Sequence, residues 1–239
     1  MDSANKERRV YKFLPALLAL DDLTGQHIKI STFPDMNDPF ELTGGLYCDP
    51  EIRGHLAVLL SRLNEWCGVL CFSQDWHNAM LWSHYAAKHA GMCIGFDVSG
   101  QMNLKEPHYV TSRREIDTGL RTLLAAAARM DRLTPSDLEA CNRVTEQLLL
   151  TKFDAWRYEN EVRTFIELKQ EQKRGDHYFA EFDDHLRPST VFLGPRCTTA
   201  EGDIEAAIRG YSPPITVVRT MLSPDSFQVI EKTTAPIVA

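Results

Sequence analysis

The 239-residue chain has 44% hydrophobic and 25% charged residues, an ordinary globular composition with ample apolar content for a core. Its formal net charge of −7 argues against a generally basic nucleic-acid-binding surface and leaves room only for a local patch. No apolar run approaches the length of a membrane span, and the charged start MDSANKERRV lacks the apolar stretch of a signal peptide, so a cytoplasmic protein is expected.

In chain order, residues 9–13 alternate in the manner of a half-buried strand, and 14–23 read as a short helix broken near Gly25. A second clean alternation at 27–31 puts Ile28 and Ile30 on one face. The stretch 33–41 is dense in turn formers, with Asn37-Asp38-Pro39 as a fixed turn. Residues 51–66 form an amphipathic helix, with Leu56, Leu59, Leu60 and Leu63 at helical spacing. At 68–97 the pattern predicts a buried strand, a helix over about 78–89 ending at a C-cap Gly91, and a second buried strand at 92–96. A further strand is expected at 108–111 and a long helix at 113–130. A helix opened by Thr134-Pro135-Ser136-Asp137 should run to about residue 156. Strands follow at 161–168, 190–193, 215–219 and 227–230, with a polar hairpin or loop at 169–176 and a helix at 201–209. The expected fold is α+β, a single domain over 1–239 with an ordered core at about 9–235, a mixed or antiparallel sheet and a helical insertion at 113–156. The alternative makes those helices a separate lobe.

Three motifs carry candidate chemistry. In Asn37-Asp38-Pro39-Phe40-Glu41, the amide and carboxylates of Asn37, Asp38 and Glu41 either hold ligand hydroxyls or satisfy the turn's own backbone. In the helix Met80-Leu81-Trp82-Ser83-His84-Tyr85, Trp82 or Tyr85 either stacks on a flat ring, with His84 or Ser83 hydrogen-bonding it, or packs in the core. In Trp156-Arg157-Tyr158-Glu159-Asn160-Glu161-Val162-Arg163, strand geometry would put Arg157, Glu159, Glu161 and Arg163 on one face. That face is either a self-neutralising surface ladder or a site in which Arg163 holds one carboxylate while the other polarises a hydroxyl. His77, His84, His89 and Cys93 do not share a face, so no metal site is expected. The six cysteines form no CxxC pair and fit free thiols in a reducing compartment.

Taken in order, the segments YKF, STFPDMNDPFE, CFS, LWSHYAAKHAGMCIGFD, WRYENEVR and VFLG resemble the bacterial domain-of-unknown-function family 2971 over about 11–230. The family signal is least at 113–156. A second resemblance is to ADP-ribosyltransferase folds. It rests on Tyr11-Lys12 on the first strand, the helix and strand that follow, Cys71-Phe72-Ser73, and the late Glu159-Asn160-Glu161. Tyr-Lys departs from the His-Gly or lone Arg of well-known branches. This resemblance implies NAD⁺ as cofactor, with Glu161 (then Glu159) as the catalytic carboxylate. Tyr11, Lys12, Asn37, Asp38, Glu41, Ser73, Trp82, His84, Tyr85 and Arg163 become the ligand-binding residues. The expected partner is a small-molecule nucleotide, in an enzyme of stress or phage defence. The rivals are a non-catalytic module binding a nucleotide or modified base through Trp82, Tyr85 and Asn37, and a nucleic-acid-processing enzyme whose paired acids hold a metal.

Overall fold

The first alternation is realised as β1 (Arg8–Leu14), which buries Val10 on one face and Phe13 on the other. The computed structural model describes residues 7–38, 40–41, 49–113, 121–122, 124–126 and 148–232. Helix α1 (Ala16–Gly25) inserts Ala19 and Leu23 into the core and stops at Gln26. Gln26 is left-handed, and its N–H bonds back to the carbonyls of Asp22 and Leu23. Strand β2 (His27–Ile30) buries Ile28 and Ile30. Helix α2 (Pro50–Trp66) starts on Asp49, whose carboxylate accepts the Glu51 N–H at 2.9 Å, with Pro50 at the first position.

The 68–97 unit becomes β3 (Cys67–Ser73), α3 (Ala79–Tyr85) and β4 (Met92–Val98). Asn78 caps α3, its side-chain oxygen accepting the Met80 N–H at 2.9 Å. The helix ends earlier than the sequence pattern suggests, and Ala87, Lys88 and His89 follow with positive φ of 46°, 56° and 71°. Gly91 is therefore not the helix cap. A Cβ there would stand 2.2 Å from the Leu14 carbonyl oxygen, so the glycine serves a close backbone approach.

Beyond β4 lie the short β5 (His108–Val110) and β6 (Thr151–Phe153), paired in parallel. A 3₁₀ segment, Asp154–Glu159, leads into β7 (Glu161–Glu167). The helix expected to reach residue 156 thus gives way to strand and 3₁₀ turn. Its cap at 134–137 and most of the helix expected at 113–130 lie outside the described residues. Within the expected insertion, 121–122, 124–126 and 148–150 are helical. The chain closes with β8 (Lys173–Arg174), β9 (His177–Glu181), β10 (Leu186–Leu193), α4 (Glu201–Ala207), β11 (Thr216–Leu222) and β12 (Val229–Glu231). Phe227, expected in the last strand, lies outside it and is fully exposed.

The fold is α+β. A seven-stranded mixed sheet runs β12-β11-β10-β4-β1-β3-β7, and a three-stranded sheet runs β2-β9-β8. On one face of the large sheet, Val10, Leu70, Phe72, Ile94, Phe96 and Val162 pack against α1, β2 and α4. On the other, Phe13, Cys93 and Phe192 pack against Leu81 and Trp82 of α3. The sheet has a seam. Strand β1 pairs with β4 along seven residues, and β3 with β7 along another seven, yet β1 and β3 meet only at Tyr11 and Ser73. Below that pair the two strands part, and β3 turns to bridge β2 through Val69 and Ser31. Among the described residues, no helix is long and apolar enough to cross a membrane.

Candidate functional site

The parting of β1 from β3 opens a cleft with about 740 Å³ of space between its walls, its mouth included. Ten residues singled out from the sequence line it. Tyr11 and Lys12 come from β1, Ser73 from β3, and Glu161 and Arg163 from β7. Asn37, Asp38 and Glu41 come from the turn, Tyr85 from α3, and Glu159 from the end of the 3₁₀ segment.

Two expected residues stand elsewhere. Trp82 is fully buried, edge-on to Phe13 with ring centroids 5.2 Å apart, and its indole N–H donates to the Trp76 carbonyl at 2.7 Å. It is a core residue and cannot stack on a ligand. His84 is exposed on the outer side of α3, its ring 6.1 Å from that of Tyr158. Arg157 also leaves the expected row. In 3₁₀ rather than strand backbone, it pairs outward with Asp154, Nε to Oδ1 at 2.8 Å, and stacks over Tyr109.

The cleft's inner wall is a buried charge cluster. Arg163, 1% exposed, clamps two carboxylates. Its two terminal nitrogens donate to Glu41 at 2.9 and 2.6 Å, and its Nε and Nη2 donate to Glu161 at 2.7 and 3.0 Å. Nη1 also donates to the Leu149 carbonyl at 2.9 Å. Lys152 donates to Glu161 at 2.6 Å and to Glu159, and stands 3.5 Å from Glu41. Tyr85 donates its hydroxyl to the other oxygen of Glu159. Counted as charges, three carboxylates against two cations leave one negative charge in the cluster.

These contacts decide protonation. Burial alone would raise the Glu161 carboxyl, but the charges of Arg163 and Lys152 outweigh it and hold the group down at about 2. Burial opposes the charge of Lys152, yet Glu161 and Glu159 keep its proton on more firmly than usual. Burial, then Glu159, pushes the Tyr85 hydroxyl up, so it stays a donor. Burial, then Glu161, pushes the Cys71 thiol up, which removes it as a nucleophile although it lines the cleft.

The sequence reading missed Lys152 and Trp156, whose ring lies 5.5 Å from the Lys152 ammonium at the cleft. A signal existed. Lys152 interrupts an apolar run between Leu150 and Phe153, and a lone lysine in such a run is either paired or misplaced. Lys12 reaches across the seam and donates to the Cys71 carbonyl at 3.1 Å. Away from the cleft, Asp21, Asp22 and His27 bring ligand atoms within 4.8 Å of one another. There Arg174 already holds the Nδ1 of His27 at 2.6 Å.

Fold and cleft together define an α+β protein with a split sheet and a buried acid–base cluster at the split. Residues 81–164 match the family described as "Protein of unknown function (DUF2971)", which bears out the family resemblance read from the motifs. The match runs through 113–156, where the sequence reading put the least family signal, and includes Tyr85, Lys152, Glu159, Glu161 and Arg163. No curated protein matches the chain, and no solved structure does.

Proposed function

We propose that the cleft binds NAD⁺ and that the protein is an ADP-ribosyltransferase-like enzyme, transferring or hydrolysing ADP-ribose. The observation that supports this reading is a register row at the head of the seam. Tyr11 stands opposite Ser73 and Ser73 opposite Glu161, with Glu159 two positions earlier. Three of the segments on which the transferase resemblance rests are thus neighbours beside one cleft. Fold likeness alone carries no activity, so the roles come from the groups themselves. Tyr85 and Trp156, which both line the cleft, would hold a nicotinamide ring by stacking. A glutamate accepts a ribose hydroxyl and stabilises the positive charge that develops on the sugar as nicotinamide leaves.

Hydrogen-bond occupancy divides the work between the two acids. Glu161 already accepts three bonds from Arg163 and Lys152, whereas Glu159 accepts one from Tyr85 and one from Lys152. Glu159 is then the catalytic carboxylate, and Glu161 is the positioning residue that holds Lys152 beside it. A role in stress or phage defence belongs to the same proposal, and cellular NAD⁺ should fall when the protein is expressed.

The test is thermal stabilisation by NAD⁺, ADP-ribose and nicotinamide, run beside nicotinamide release. Stabilisation with release is expected, and Glu159→Gln should lower release by about 10²-fold or more while NAD⁺ still stabilises the fold. Neither shift nor release at millimolar NAD⁺ would sink the proposal.

The saturation of Glu161 favours a second reading, a non-catalytic nucleotide-binding module, which requires stabilisation without release. In the reading as a metal-dependent nucleic-acid-processing enzyme, an ion would be held between Glu159 and Glu161. Lys152 takes that bridging position, so this reading has no support from the geometry.

A further inference from the structure

Among the described residues, Asp38 is the one carboxylate lining the cleft that has a buried oxygen without a partner. Its Oδ1 accepts the Phe40 N–H at 2.8 Å, and its backbone carbonyl accepts the Glu41 N–H at 3.0 Å, so the turn is satisfied by half of the residue's capacity. Oδ2 has no hydrogen-bond partner, although the residue is only 6% exposed and lines the cleft. A buried carboxylate oxygen left without a donor or a counter-charge is costly, and a ligand that supplies one removes the cost.

The neighbouring cluster cannot supply that charge. Arg163 and Lys152 are shared among Glu41, Glu159 and Glu161, which outnumber them. Lys12 is turned to the Cys71 carbonyl. Tyr85 and Trp156 line the same cleft and add aromatic faces beside these acids. A flat group carrying positive charge fits both facts, because an excess of carboxylate lowers its electrostatic energy while ring faces attract cations.

We infer that Asp38 is a specificity-determining residue which selects a planar cationic heterocycle, of the N-alkylated pyridinium class, over its neutral counterpart. The identity of the ring rests on the NAD⁺ reading, whereas the preference for positive charge rests on the unpaired Asp38 carboxylate. In a substrate of that class the charge leaves with bond cleavage. The neutral product would therefore be held less tightly than the substrate, which promotes its release.

The experiment compares N1-methylnicotinamide with nicotinamide, two probes of one ring that differ in charge, by calorimetry on the full chain and on Asp38→Asn. The asparagine keeps an oxygen for the Phe40 N–H, so the turn is retained, and the melting temperature of the variant without probe checks this. The cationic probe should bind about tenfold or more tightly than the neutral one, with affinity falling as salt rises, and Asp38→Asn should abolish the difference. Equal affinity for the two probes, or a preference that survives Asp38→Asn in a folded protein, would overturn the inference. The outcome is separable from that of the enzymatic proposal. Cation preference without nicotinamide release from NAD⁺ leaves the inference standing and removes the activity, and release without cation preference does the reverse.

Discussion

The two halves of the large sheet are built from the same ladder and filled with opposite chemistry. Strands β1 and β4 pair along seven residues, presenting Val10, Met92, Ile94 and Phe96 on the α1 side and Phe13 and Cys93 on the α3 side. Strands β3 and β7 pair along seven residues as well, but the face that carries Phe13 and Cys93 in the first half carries Cys71, Ser73, Glu161 and Arg163 in the second. Each half is locally regular, and the discontinuity between them is where the cleft forms. The lesson is that a buried charge cluster needs a second wall. Arg163 is tolerated at 1% exposure because Glu41, from a turn 122 residues away in sequence, supplies two of its acceptors.

The hardest test of this contrast is Arg163→Met, which leaves Glu41 and Glu161 buried against Lys152 alone. Urea unfolding should show a loss of about 3–5 kcal/mol. A loss below about 1 kcal/mol would mean that the cluster is hydrated, and the two halves would not differ as described. Trp82→Ala on the apolar side should cost a similar amount, about 3–5 kcal/mol, through the cavity it leaves. It should leave the cation preference of the cleft intact, because Trp82 does not line it.

The halves should also answer to pH with opposite sign. Burial raises Asp22 of α1 from near 3.8 to about 7, with Lys12 opposing. An acid raised by folding contributes stability that is complete below its unfolded value and is lost as pH rises through about 7. Glu161, held down at about 2 against an ordinary 4.5, contributes stability that is present above 4.5 and is lost as pH falls through about 2. Asp22→Asn should therefore flatten the alkaline limb of the stability profile and raise stability at pH 8 by roughly 2–4 kcal/mol, leaving the acid limb unchanged. Glu161→Gln should remove the acid limb. An alkaline limb that persists in Asp22→Asn would break the comparison. The smallest effect should come from Lys12→Met, which removes one charge-assisted bond across the seam. A loss of about 1–2 kcal/mol is expected, together with an upward shift of the Asp22 titration, because Lys12 is the charge that lowers it.

Sequence patterning by itself determined the elements whose burial is decided locally. Alternation marked β1, β2 and β7, helical spacing marked α2, and apolar runs marked β3 and β4. It also singled out seven of the residues that meet in the cleft, because polar groups set inside turn and strand motifs are conspicuous, while Tyr11, Lys12 and Ser73 came only from the transferase resemblance. Where the pattern went astray, a non-local contact had overridden it. Gly91 looked like a helix cap and is a close approach to Leu14, a partner that no local window contains. Trp82 and Tyr85 sit on one short helix with comparable aromatic side chains, and only the packing of β1 against α3 buries the first and leaves the second at the cleft. Tertiary structure alone decided that β1 and β3 part after a single pair and that Lys152 rather than Arg157 joins the glutamates. It also decided that Asp38 keeps one oxygen unpaired. Propensity and periodicity report how a residue sits against its neighbours in sequence, whereas charge pairing and cleft geometry depend on strands and turns brought together from distant parts of the chain.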